Sequence, residues 1–228
     1  MPKRLFEDAD FLSAARSLAA ASGPASVTVT SVTQKLGAPT GSFYHRFASR
    51  DVLLANVWLG TALAFQTDFV AAIKAGDGLA AALHTPIWVR ANLEEARAFL
   101  LYHRDDFAHG NWPQDLKDRV VRQGRRVDAA YKRLARDTFG GVGTNELRLA
   151  RFVLAEVPKA AVGPYLRQGI PPPAIVDEMI ETTYRAIVRK FGVGAKRVSS
   201  AAERSGISSV SSSFMATKSA RVARGDVE

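Results

Sequence analysis

Between Thr28 and Leu54 the chain reads TVTSVTQKLGAPTGSFYHRFASRDVLL, and Gly37 constrains what this stretch can fold into more than any other residue. Val29, Val32 and Leu36 recur at i, i+3 and i+7 before it, the period of one helix face, and Thr28 is placed to accept from a free N–H at the start of that helix. Gly37 then supplies the left-handed conformation that ends a helix without a Cβ clash, and Pro39 suits the opening of another. Phe43 and Phe47, at i and i+4, form the apolar stripe of that second helix. At about 100° per residue the opposite side carries Gly41, Ser42 and His45, flanked by Thr40 and Tyr44. Ser49-Arg50-Asp51 opens a third helix. Two short helices about a glycine turn, with a carboxylate-free outer face of slim hydrogen-bonding side chains, have the shape and charge that a DNA major groove admits.

The segment resembles the N-terminal signature of the TetR family of transcriptional regulators. The likeness rests on the Thr-Val opening at Thr28-Val29, the small-residue turn at Gly37, the Gly41-x-Phe43-Tyr44 centre, Phe47, and Ser49-Arg50-Asp51-x-Leu53. It extends from about Phe11 to Leu54. Two positions depart from it: Thr33 stands where the family usually has alanine, and Pro39-Thr40 replaces a common Ser-Lys pair, removing a cationic phosphate contact at position 40.

Charge and composition fit a polyanionic partner without specifying one. The net charge is +9, from 31 basic and 22 acidic residues among 228, and it is spread along the chain. Charge alone therefore predicts only nonspecific attraction to nucleic acid or an anionic surface. No cysteine is present, which excludes disulfides, zinc-thiolate sites and thiol nucleophiles. The histidines His45, His84, His103 and His109 show no metal-ligand spacing, and no cofactor loop is found: Gly141-Val142-Gly143 lacks a third glycine and a preceding strand. His103-Arg104-Asp105 imitates a kinase catalytic triplet, but the glycine-rich loop and Asp-Phe-Gly that such an enzyme needs are missing. Apolar runs are shorter than a membrane span and the acidic N-terminal region does not resemble a signal peptide, so a soluble cytoplasmic protein is expected.

Hydrophobic periodicity predicts an all-α fold. An alanine-rich first helix carries Phe11, Leu12, Ala15, Leu18 and Ala19 on one face and ends at Ser22-Gly23-Pro24. A long helix runs from Ser49 to about Lys74, followed by helices over Leu79–Leu93, Glu94–Phe107, Gln114–Phe139, Glu146–Leu166 and Ala174–Phe191. We therefore expect a helix-turn-helix DNA-binding domain over 1–48, a helical ligand-binding and dimerisation domain over 49–191, and a disordered, basic, serine-rich tail over 192–228.

The middle of the chain is rich in large rings with polar handles, the composition of a mostly apolar ligand cavity. Trp88, Asn92, Tyr102, His103, Trp112, Tyr131 and Phe152 are the candidates. The resemblance implies a repressor that binds palindromic operator DNA as a homodimer and is released by a small-molecule inducer. Within that reading the helix faces assign Thr28, Thr30 and Arg50 to phosphates and Thr40, Ser42, Tyr44 and His45 to bases or backbone, with Gly41 letting the helix approach closely. The resemblance also makes the last two helices the dimerisation pair, through Leu149, Phe152, Val153 and Val157 and then Ile175, Met179, Ile180, Tyr184, Ile187 and Val188. The alternative from another class is a helical small-molecule-binding protein or enzyme with an incidental helix-turn-helix-like turn.

Overall fold

The computed structural model describes residues 6–107 and 112–194, and every regular element among those residues is a helix, with no strand. The expected tail, from residue 195 on, and His109 lie outside the described residues.

Helix α1 (Asp8–Ser22) ends at Gly23, where φ is 84°, and a short 3₁₀ turn (Pro24–Ser26) leads into α2 (Val29–Leu36). Thr28 and Ser31 cap α2 reciprocally: the Ser31 N–H donates to Thr28 Oγ1 at 3.0 Å and the Thr28 N–H to Ser31 Oγ at 2.8 Å. These bonds satisfy donors that the first turn of a helix otherwise leaves free. Gly37 closes α2 in the left-handed conformation, and α3 (Thr40–Tyr44) follows Pro39. Ser49 caps α4 (Arg50–Lys74), whose 25 residues make a rod of about 37 Å.

Beyond it come α5 (Gly78–Ala91), α6 (Leu93–Leu100), α7 (Arg104–Phe107), α8 (Gln114–Phe139), α9 (Thr144–Arg151), α10 (Val157–Gln168) and α11 (Ile175–Phe191). Two expectations need correction. The single helix expected over Glu94–Phe107 is two, broken at Leu101–His103, because the Asp106 carboxylate accepts the His103 N–H at 2.6 Å and starts a new helix there. The helix expected over Glu146–Leu166 contains a π turn, Phe152–Glu156, immediately before Pro158 in α10. Proline cannot donate into the i→i−4 ladder, and the wider turn absorbs that missing bond.

Two main apolar cores organise the helices. The first joins Phe11, Val32, Phe43, Phe47 and Leu53 of the N-terminal helices to Ala98 of α6 and Phe107 of α7. The second collects Phe69, Val89, Leu134, Phe139, Leu154 and Ile180 from the later helices and the far half of α4. Because α4 supplies both, it connects them mechanically. Among the described residues no helix is long and apolar enough to cross a membrane.

Candidate nucleic-acid interface

The packing of α3 determines which of its side chains face outward. Phe43 and Phe47 are buried against Phe11, with ring centroids 6.0 and 6.2 Å away in edge-to-face geometry. Such pairs add to the burial of the rings themselves. With that stripe fixed inward, Thr40, Gly41 and His45 are exposed, Ser42 is half-buried, and Tyr44 is 58% exposed with its ring centroid 5.3 Å from that of Phe43. A Cβ at Gly41 would meet nothing within 4 Å. Packing therefore does not demand glycine there, and the bare backbone presents an unobstructed surface.

The rest of the head holds this short helix rigidly. Arg46, just past α3, pairs with Asp8 at the start of α1 at 2.6 Å. Thr33 is buried, and its hydroxyl donates to the Val29 carbonyl at 2.9 Å. The departure from alanine thus costs no unpaired polar group. Thr28 and Thr30 are exposed at the start of α2. Arg50 is already engaged: its guanidinium donates to the carbonyls of Val27 and of Pro24, the latter at 2.9 Å, and lies 3.3 Å from Asp51. It fastens the 3₁₀ turn to α4.

The candidate ligand residues do not form one group. Trp88 is buried edge-on to Phe65 at 5.2 Å, Asn92 donates to the Trp88 carbonyl at 3.0 Å, and Tyr131 lies 5.9 Å from Phe69. These surround a cluster of Phe65, Phe69, His84 and Phe99 between α4, α5 and α6, and burial pushes the Tyr131 hydroxyl up to about 12. Tyr102 instead packs on Phe107 in the head's core, and His103 is exposed. Trp112 belongs to a small third cluster with Ala55, Leu59 and Leu116. Phe152 is 38% exposed and lines a groove of about 530 Å³ with Leu149, Ile187 and Phe191. On the expected dimerisation helices Val153 and Ile180 are buried, whereas Ile175 and Met179 are 52% and 57% exposed.

Sequence reasoning passed over the outer face of α8. Arg119, Arg122, Arg125 and Arg126 are all exposed there. The run RQGRR was the available signal, obscured by averaging charge over the whole middle of the chain.

Residues 11–57 match the family model for bacterial regulatory proteins of the tetR family. The matched segment covers α1 to α3 and the first part of α4. No curated protein and no solved structure matches the chain. Its N-terminal segment, which carries the glycine-turned helix pair and its outward polar face, is the part of the chain that is similar to the tetR family of bacterial regulatory proteins.

Proposed function

We propose that this regulator is a cytoplasmic transcriptional repressor, without enzymatic activity, that binds a near-palindromic operator as a homodimer and is released by a small, mostly apolar ligand. The observation that carries the reading is α3 itself: two phenylalanines fix it on α1 while Thr40, Gly41, Tyr44 and His45 face outward. Ser42, beside them, completes the face. In this reading α3 enters the major groove and Thr28 and Thr30 at the start of α2 contact phosphates, one head per half-site. Arg50 acts indirectly, by holding the turn ahead of α2 in place.

Residues 1–48 form the DNA-binding unit and residues 49–191 the sensing and dimerisation unit. The exposed apolar side chains Phe152, Ile175 and Met179 on the last helices support a second copy as the partner. The ring cluster bordered by Trp88, Asn92 and Tyr131 supports an apolar ligand, and α4, shared by both cores, carries the signal. Ligand and operator then weaken one another by the same factor, because each favours a different separation of the two heads.

The test is binding of the purified full chain to the DNA upstream of its own gene, in competition with unrelated duplex, followed by release on titration of apolar compounds that raise its melting temperature.

A further inference from the structure

The outer face of α8 bears a row of arginines that the operator-binding head does not use. Arg119, Arg122 and Arg126 fall within about 60° of one another around the helix axis, with Arg125 beside them, and the row is about 10 Å long. No acidic residue interrupts α8 from Arg119 to Arg126. Arg119 approaches only Asn56, at 3.5 Å, and Arg122, Arg125 and Arg126 make no ion pair or side-chain hydrogen bond among the described residues. Carboxylates stand only at the ends of the row: Asp115 and Asp118 one turn before it, the latter accepting from Gln114, and Asp128, paired with Arg151 at 3.4 Å, just beyond it.

We infer that this row is a second polyanion-binding surface, and that its partner is the phosphate backbone of a duplex other than the half-site under the head. The apolar side of α8, including Leu116, Ala130, Leu134 and Phe139, is buried in the protein, and Val121 is the large apolar residue left exposed beside the arginines. A lipid surface would need an apolar face to take up, and a protein partner a desolvated apolar centre. Phosphates on one strand recur about every 3.4 Å along the duplex axis, so a straight row of guanidiniums meets several of them.

The direction of α8 decides which duplex. Leu116 packs with Ala55 and Leu59, Gln123 donates to Gln66, and Tyr131 meets Phe69. The helix therefore runs parallel to α4 and away from the head. Arg122 to Arg126 stand level with Gln66, about 24 Å along α4 from its start. A molecule gripping its operator thus presents this row to a second DNA segment, which gives it a means of bridging or of transfer between segments.

The experiment compares the full-length wild type with Arg122→Gln/Arg125→Gln/Arg126→Gln, measuring affinity for a long duplex of unrelated sequence as salt is raised from about 50 to 200 mM. Loss of three phosphate contacts lowers the slope of log K against log salt by roughly 2 to 3 and the low-salt affinity on the order of ten-fold. Arg125→Gln alone gives about a third of the slope change, with helicity as wild type. Affinity for a short upstream duplex stays within about two-fold. Wild type captures a second, differently labelled duplex and the triple variant does not, an outcome independent of whether the upstream DNA contains an operator. An unchanged slope in a folded triple variant overturns the inference. So does loss of binding to vesicles containing phosphatidylglycerol, or to an acidic protein, with duplex binding intact.

Discussion

The phenol of Tyr102 closes over Gly23: a Cβ at that glycine would sit 3.2 Å from the Tyr102 hydroxyl oxygen. Gly23 ends α1 and Tyr102 follows α6, so this contact joins the N-terminal helices to the helices that surround the ring cluster. Two polar links lie along the same seam, Arg16 with Glu95 at 3.5 Å and Ser17 donating to Glu94 at 3.3 Å. The N-terminal core is therefore completed by side chains from α6 and α7, although the chain reaches them only after passing through α4 and α5.

Gly23→Ala should destabilise the protein by about 1 to 3 kcal/mol, since its φ of 84° and ψ of 164° lie where only glycine is at ease. Part of that loss is the collision with Tyr102. In a Tyr102→Ala background the same substitution should cost less, leaving only the backbone strain. Denaturant midpoints for the four proteins of the double-mutant cycle measure the difference. Strict additivity would mean that the ring and the turn do not press on each other.

His84 makes stability depend on pH in a defined direction. Burial between Phe65 and Phe69 holds its pKa below the ordinary value of 6.5, opposed by its bond to the Phe65 carbonyl at 2.7 Å and by Asp68. As pH falls through about 6.5 the unfolded chain takes up a proton that the folded one still refuses, so stability drops, and it levels off below the folded-state pKa. His84→Gln should flatten this part of the profile. Melting curves at successive pH values, wild type against variant, should diverge across that window; parallel profiles would contradict the placement of the ring.

Met179 is 57% exposed on α11, near Ile175 at 52%. If these side chains meet a second copy, Met179→Glu buries charge in an apolar interface and should weaken dimerisation by at least ten-fold while leaving the helical content intact. Sedimentation over a range of concentrations reads the change. A variant that stays dimeric at the concentrations where wild type does would move the interface elsewhere.

The local signals in the sequence translated directly into structure. Gly37, Gly140 and Gly169 each end a helix in the left-handed conformation, and Ser49 caps α4 with its side chain accepting from Val52 N–H at 3.2 Å. Such signals act within one turn of chain and can be read there. Periodicity gave Phe43 and Phe47, and ring content Tyr102 and Trp112, as residues with apolar surroundings, but not which surroundings. Tyr102 and Trp112 settle in different clusters from Trp88 because partners from α1 and α4 decide their place. The same limit applied to Arg50, whose bonds to the carbonyls of Pro24 and Val27 span more than twenty positions and leave no periodic trace. The break at His103 depended on one carboxylate three residues ahead, a weaker signal than the apolar residues flanking it.

The most direct measurement is fluorescence anisotropy of the labelled upstream DNA with wild type and Tyr44→Ala at physiological salt. Tyr44 is exposed beside the buried Phe43, so its removal should leave the melting temperature unchanged and weaken specific binding by on the order of 1 to 3 kcal/mol, roughly five- to one-hundred-and-fifty-fold. Binding to unrelated duplex should change little. Equal affinity of the two proteins for the upstream DNA, or a wild type that does not prefer it to unrelated duplex, would contradict an operator-reading α3.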